Sequence, residues 1–478
     1  MTGTTDRVGT PTRLAYGFGA VAYGVKDNGF SYFLLLFFNQ VMGLPAYKVT
    51  LAILIALCVD AISDPIVGNW SDRTHSRWGR RHPFMYAAAL PIAAAYFFLW
   101  NPPEGLSDDA LFLYLLGIAI LVRTSITFYE VPGTSMVAEL TGDYHVRTSL
   151  LSYRYLFGWL GGLGIAAVAY KFLLVPTEQF GHGLLNLEGY NTYGVIAALL
   201  MLTGILVSAL GTHHRIPQMK KPPPKRPINV WRTFGEIFET LANKSFLMLF
   251  LAAIFFALAA GLSHALSNYF AVYFWGLEAA QLLWFLAVYA GSAVFAFILA
   301  PFFTRRMGKK HAAIAVSFFA VILAPMPIFL RLIDFFPPND SLFLLPLLLL
   351  FAFVDVALII TSNIIVASMI ADVVEDSELK TGRRSEGLFF AARTFVYKIA
   401  SGMGIFSAGI ILSQIKFPDK ASPGAVDPET ITNLGIVYVP TLLGLYLISV
   451  AFLSTYTITE GQHEENLRAL NSRRNGEE

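Results

Sequence analysis

Apolar runs long enough to cross a membrane recur along the chain at intervals of roughly 35 to 40 residues. Several contain Gly or Pro, which membrane helices tolerate. We count twelve of them, at 13–41, 47–70, 83–100, 110–138, 150–172, 192–211, 246–273, 281–303, 312–333, 342–370, 387–414 and 434–457. The pattern predicts an all-α membrane protein with twelve transmembrane helices.

One polar stretch, 212–245, separates the sixth run from the seventh and is basic and proline-rich at its start. It predicts an N-terminal six-helix half at 1–211 and a C-terminal half at 246–458. The stretch itself would be a cytoplasmic middle loop, and 459–478 a cytoplasmic tail.

A sequence repeat supports two related halves. The loop after the second run ends in RWGRRH, from Arg77 to His82, and the loop after the eighth run reads RRMGKKH, from Arg305 to His311. The eighth run comes six runs after the second, so the two loops occupy equivalent places in the two halves. We therefore expect two six-helix pseudo-repeats around a central cavity, an arrangement typical of alternating-access transporters.

The loop lysines and arginines predict the orientation. With both termini in the cytoplasm, nineteen of them lie in inner loops and five in outer loops. We therefore expect an integral plasma-membrane protein, in a bacterial inner membrane, with cytoplasmic termini.

Composition agrees with a membrane protein. The 478 residues are 55% hydrophobic and 14% charged, with a mean hydropathy of +0.58, which is too apolar for a soluble enzyme. The net charge of +2 gives no indication of a nucleic-acid partner. Cys58 is the single cysteine, so no intrachain disulfide is possible.

The second run carries two acids where a membrane interior makes charge costly. Asp60 and Asp64 are four residues apart and share one helical face. Pro65 follows, and its ring is expected to leave the Ala61 carbonyl free. With the Ser63 hydroxyl, these are hard oxygen ligands for a small cation, and intramembrane acids are usually functional.

Other ionisable residues inside the runs are candidates for a substrate site. Asp27 lies near the middle of the first run, and Glu130 stands beside Pro132 in the fourth. The remaining ones are Lys26, Arg123, Arg154, Asp355, Arg393 and Lys398. We expect Lys26, about 100° around the helix from Asp27, to pair elsewhere, whereas for Arg123 pairing and function stay open.

Together these residues carry a resemblance along the whole chain. The motifs are Gly24-Val-Lys26-Asp27, Asp60-Ala-Ile-Ser-Asp64-Pro, Tyr129-Glu130-Val-Pro132, Tyr153-Arg154, Lys380-Thr-Gly-Arg383 and Thr394-Phe-Val-Tyr-Lys398. In this order they resemble the glycoside–pentoside–hexuronide:cation symporters of the major facilitator superfamily, among which is the bacterial melibiose permease.

The resemblance implies roles for individual residues. Asp60 and Asp64 would bind the coupling sodium or proton, assisted by Ser63 and Thr127. Asp27, Glu130 and Arg154 would hold the hydroxyls of a sugar, and Lys398 would link the cation and substrate sites. No other cofactor is expected, and the protein would function as a monomer.

The chain departs from the permease at three positions. Glu130 replaces a shorter aspartate, and Thr134 stands where the permease stacks its sugar on a tryptophan. Arg393 replaces a neutral amide. These changes argue against a galactoside and towards an anionic group on the substrate, so Arg393 joins the expected substrate site.

Two transport functions therefore remain: symport of a polar solute such as a glycoside, pentoside or uronide, and cation-coupled carriage of a lysolipid or other amphiphile. A lysophospholipid symporter of animals shares the Asp-Ala-Ile-x-Asp-Pro helix. A membrane enzyme is disfavoured because no nucleophile–base pair is evident, and a channel because no selectivity filter is present.

The expected cytoplasmic loops also offer parts for a gate, since acids of one half can meet arginines of the other. Weak surface ion pairs of about 0 to 1 kcal/mol would suit an element that opens and closes. The candidates are Asp72, Arg73, Arg80, Arg81, Glu139 and Arg383.

Overall fold

The computed structural model describes residues 8–141, 143–219, 244–381 and 386–458, with short pieces of the tail between 461 and 472. The described residues contain no β-strand. Their helices of seven residues or more are Thr10–Phe18 (α1), Ala20–Asn28 (α2), Ala46–Arg73 (α3), His82–Trp100 (α4), Asp108–Ser135 (α5), Tyr144–Val168 (α6), Leu187–His213 (α7), Lys244–Tyr269 (α8), Ala279–Leu323 (α9), Met326–Leu332 (α10), Leu344–Thr381 (α11), Glu386–Gln414 (α12) and Pro428–Ser454 (α13).

The all-helical prediction is confirmed, although the helix count differs. Within the described ranges, ten helices are long and apolar enough to cross a membrane. The first predicted run, 13–41, is divided into α1, α2 and π-helical turns at Gly29–Phe33 and Phe37–Val41. The eighth and ninth runs are merged in Ala279–Leu332, where Gly308 leaves helical geometry at φ 70° and ψ 162°. These two regions account for the difference between ten and twelve.

Capping residues move two helix starts away from the predicted ones. α13 begins at Pro428, where 434 was predicted, because the Asp427 side chain accepts a hydrogen bond from the Glu429 amide. α7 begins at Leu187, where 192 was predicted, and Asn186 accepts from the Gly189 amide. A polar cap followed by a first turn is a start signal that hydropathy alone does not register.

The chain divides into two compact units. The first consists of Met1–Arg226, His264–Leu283 and Ile405–Val426, and the second of Pro227–Ser263, Trp284–Gly404 and Asp427–Glu478. Each unit therefore combines segments that are distant in sequence. The predicted domain boundaries at 211 and 246 stay a prediction.

The sequence repeat corresponds to a repeated local structure. Gly79 in the first unit has φ +71°, and Gly308 in the second has φ +70°, a conformation that glycine adopts without strain. The next residue in each case forms an ion pair with an acid from a distant part of its own unit. Arg80 lies 2.9 Å from Glu139, and Lys309 lies 2.7 Å from Asp372. The shared backbone geometry and ion pairing support a structural duplication.

At the expected outer end of the first unit, a polar cluster joins three segments. Asn39 donates to the Asp419 carboxylate at 2.5 Å and accepts from the Tyr269 hydroxyl at 2.6 Å. Gln40 accepts from the Tyr273 hydroxyl at 3.0 Å. Burial raises the pKa of the Asp419 carboxyl, and the hydrogen bond from Asn39 opposes that shift. These five residues are the Asn39 cluster.

Glycines allow α2 and α6 to approach closely in the first unit. A Cβ atom added to Gly24 would lie 1.9 Å from the Gly158 carbonyl oxygen and 2.9 Å from the Gly162 nitrogen. Both obstacles are backbone atoms, which cannot rotate away. Small residues at such contacts let membrane helices pack backbone to backbone, and this packing places Asp27, at the end of α2, beside α6.

We expect Gly24→Ala to lower the free energy of unfolding by about 1–3 kcal/mol, because the methyl group forces the two helices apart. Gly164→Ala on α6 is the matched control, since a Cβ there meets nothing within 4 Å. Thermal unfolding midpoints of the two purified variants in detergent measure the difference. Equal midpoints would contradict the packing described.

Candidate functional site

Asp60 lies on α3 with its side chain almost fully buried. Its Oδ2 accepts a hydrogen bond from Arg123 Nη1 at 3.1 Å, and its Oδ1 accepts from the Thr127 hydroxyl at 2.9 Å. Both partners come from α5, four residues apart on one face. The carboxylate is thus held by a guanidinium and a hydroxyl at membrane depth, where an unpaired charge would be costly.

Thr127 also contacts the second acid, Asp64. Its hydroxyl lies 3.1 Å from Asp64 Oδ1, so one oxygen contacts both carboxylates. Asp64 is less buried than Asp60, and the Ser63 hydroxyl donates to the Asp60 carbonyl at 3.0 Å. The four residues predicted to bind a cation therefore lie together. The α3 helix continues through Pro65 without a break.

Arg123 is the member of this site whose role the sequence left open. It is buried, and its guanidinium lies 4.6 Å from the centre of the Phe30 ring. Pairing with Asp60 and a cation–π contact hold it in place. The site thus contains two acids, Asp60 and Asp64, and at least one base, Arg123.

The side chains brought together at this site offer oxygen ligands. Within the described part of the chain, no group of three or more His, Cys, Asp or Glu side chains could hold a metal ion. The available ligands are the carboxylates of Asp60 and Asp64 and nearby hydroxyl oxygens, which are ligands of hard cations.

A second pair of charges lies one to two turns along α5. Glu130 Oε1 is 2.7 Å from Arg154 Nη2, and Arg154 comes from α6. Glu130 Oε2 is buried and has no hydrogen-bond partner. The ring of Tyr16 lies 5.8 Å from the Arg154 guanidinium, and the Tyr16 hydroxyl donates to the Gly133 carbonyl at 2.9 Å. This pair offers a spare acceptor beside a fixed cation.

Asp27, the third predicted substrate residue of the first unit, is exposed. Lys26 Nζ lies 3.6 Å from Asp27 Oδ1, while the Lys26 side chain itself is buried. Lys26 therefore contacts Asp27 despite the helical angle between them, and whether it also pairs elsewhere stays a prediction. A long lysine side chain can reach back around the helix to its neighbour.

The two predicted substrate residues of α12 cannot be joined to this group. Lys398 belongs to the second unit and is partly buried. The side chain of Arg393 lies outside the described residues. The expectation that all five candidates face one space therefore remains a prediction.

The gate candidates form ion pairs within the first unit. Glu139 Oε1 lies 2.9 Å from Arg80 Nη2 and accepts a hydrogen bond from Arg81 Nε at 2.7 Å. Arg81 also contacts Asp72 and donates to Ser71 Oγ at 2.6 Å. Arg81 and Glu139 are almost fully buried, so this contact is not the weak surface pair that the sequence suggested. Arg73 is partly buried, and Arg383 lies outside the described residues.

The sequence missed three features of the site. The sequence did indicate that Arg123 could pair with Asp60, since Arg123 precedes Thr127 by one helical turn. No sequence pattern indicated the buried Arg81–Glu139 pair, because the two residues are 58 positions apart. The Asn39 cluster likewise depends on contacts across more than 200 positions.

Comparisons with curated proteins give relatives that span the whole chain. A putative glycoside/cation symporter of Escherichia coli strain K12 is 24% identical, with 96% of this chain and 94% of that protein covered. An uncharacterized symporter of Synechocystis sp. is 26% identical, with 98% of each covered. The sphingosine-1-phosphate transporter MFSD2B of Mus musculus is 27% identical, with 93% of this chain and 89% of that protein covered.

Solved structures agree with the fold. A D-xylose–proton symporter superposes with a TM-score of 0.63 at 13% identity, covering 94% of this chain and 98% of that one. The family described as MFS/sugar transport protein matches residues 15–460. With its long apolar helices, this chain is an integral membrane transporter rather than an enzyme, and it belongs to the MFS/sugar transport family.

Proposed function

We propose that this protein is a secondary active symporter that couples inward flow of sodium or protons to the uptake of a polar solute. The observation that carries the proposal is the contact of Thr127 with both Asp60 and Asp64, 2.9 and 3.1 Å away, inside the membrane-spanning region. An oxygen-lined site with two carboxylates suits a hard cation such as sodium. We place both termini in the cytoplasm from the loop charges.

Within this site, Asp64 is the carboxylate that we assign to the coupling ion. Asp60 is already neutralised by Arg123 at 3.1 Å and is almost completely buried. Asp64 is the less buried of the two and shares Thr127 with it. A sodium ion or proton at Asp64 would compensate the charge of that carboxylate, which lowers the cost of moving the site relative to the membrane.

For the solute we assign Glu130, Arg154 and Asp27. The unpartnered Glu130 Oε2 can accept a hydrogen bond from a hydroxyl, and the neighbouring guanidinium can donate one. The Thr134 hydroxyl donates to its own helix, at the Glu130 carbonyl, 2.8 Å away. This arrangement supports a hydroxyl-bearing solute.

The alternative is a cation-coupled carrier of a lysolipid or other amphiphile. The observation that favours it is the similarity over nearly the full chain to a mouse transporter of sphingosine-1-phosphate. A stabilisation screen of the purified protein with glycosides, uronates and lysolipids, with and without sodium, separates the two. Stabilisation by glycosides or uronates supports the first, and stabilisation by lysolipids alone supports the second.

We expect Asp64→Asn to abolish cation-driven accumulation of the solute in proteoliposomes while leaving the protein folded. The amide removes the charge that the coupling ion neutralises. Glu178→Gln, in an exposed loop, is the control for loss of one acid. Undiminished accumulation by the Asp64 variant under a sodium or proton gradient would refute the assignment.

We expect Arg123→Gln to strengthen sodium binding by on the order of tenfold or more, because a second negative charge becomes available at Asp60. Arg123→Lys keeps the charge and should change affinity much less. Sodium titrations followed by thermal stability measure both. The proposal for Arg123 fails if the glutamine variant binds sodium no better than the parent.

We also propose that the Asp72–Arg81–Glu139 cluster belongs to the cytoplasmic gate. We expect Asp72→Asn to shift the resting population towards the inward-open state and slow transport, with cation affinity little changed. The Asp72 side chain is half exposed, so its pair is worth only about 0 to 1 kcal/mol and its loss leaves Arg81 held by Glu139. Labelling of cysteines introduced on the cytoplasmic side should increase. Equal labelling in variant and parent would place the gate elsewhere.

A further inference from the structure

Asp355, on α11 in the second unit, is an acid within a membrane-spanning segment that the coupling site does not use. Its Oδ1 is buried and has no hydrogen-bond partner. Among the side chains that the structure describes, no Lys, Arg or His forms an ion pair with it. This differs from Asp60, which has a guanidinium and a hydroxyl as partners.

Two tyrosines of α13, Tyr438 and Tyr446, interact electrostatically with this carboxyl. The Tyr438 hydroxyl donates to Ser263 Oγ at 3.2 Å, so it is occupied by another partner. On α9, Ser292 donates to the Phe353 carbonyl at 2.9 Å, and Phe295 packs against the Phe353 ring.

A cavity in the same unit reaches this region. It has a volume of about 60 Å³, which is room for several water molecules. Its polar lining is Ser317, Ser362, Asn363, Tyr397, Tyr446 and Ser449. Ile359, one turn from Asp355 on α11, also lines it. Tyr446 therefore lines the cavity and also interacts electrostatically with Asp355.

These observations indicate which ligand an acid in this position can hold. An ionised carboxylate at membrane depth needs a cation, and burial without one favours the neutral form. A sodium site needs several oxygen ligands, whereas the buried Oδ1 has no partner at all. A proton needs only the carboxylate oxygen itself and a path to water.

We propose that Asp355 is a proton-binding site of the second unit, separate from the cation site on α3 and α5. The carboxylate takes a proton from a hydronium ion in the cavity to form a carboxylic acid and water, and the reverse step returns it. The proton enters from the cavity, whose lining includes Tyr446 and Ile359, the latter one turn from Asp355. The inference does not depend on the identity of the solute or on the coupling role of Asp64.

Infrared difference spectroscopy of the full-length protein in lipid membranes tests this directly. Raising the pH should remove a carbonyl stretching band of a protonated carboxylic acid. In Asp355→Asn that component should be lost from the difference spectrum. Asp340→Asn, the same change at an exposed loop residue, should retain it.

Asp355→Glu provides the second variant. It keeps a titratable acid in a slightly different position, so the band should persist with a shifted frequency. The proposal is overturned if Asp355→Asn gives the parent difference spectrum. If Asp355→Asn fails to fold, a glutamate variant with an unshifted band overturns it equally. Because the readout is the proton itself, this outcome is independent of whether the protein proves to be a symporter.

Discussion

The neutralisation of Asp60 by Arg123 is the constraint around which the first unit is built. A carboxylate removed from water loses solvation worth several kcal/mol, and only a partner with good geometry restores it. The 3.1 Å contact to Arg123 and the 2.9 Å contact to Thr127 supply that partner. They require α3 and α5 to lie side by side in one register. The same register brings Asp64 to Thr127, so the structural requirement and the candidate binding site have one origin.

A charge that is permanently attached differs from one that arrives from solution. Arg123 cannot leave, and its position over the Phe30 ring restricts its movement. A cation bound at Asp64, as we propose, would change the net charge of the site by one unit on entering or leaving. An electrostatic difference of that size can bias a conformational equilibrium, provided the two states hold the ion with different affinity.

Hydropathy was sufficient to predict the fold class because each long apolar segment satisfies its own backbone hydrogen bonds. It failed where polar residues decide the geometry, at the capped start of α13 and at the bend of Gly308. The proximity of Asp60 and Asp64 followed from helical spacing, and Thr127 came from the family resemblance. The Arg123 contact and the buried Arg81–Glu139 pair depend on how separate helices meet. Spacing along one helix carries no information on such contacts.

The Asn39 cluster has a consequence for biogenesis. Asn39 and Asp419 are 380 positions apart, and Asn39 and Tyr269 are 230 apart. While the ribosome is still synthesising the chain, the distant partners of Asn39 and Gln40 have not yet been made, and contacts of such long range form late and slowly. The first unit can therefore reach its final form only after α12 and the segment that follows it have been inserted, so the earliest helices made are among the last to be fully secured.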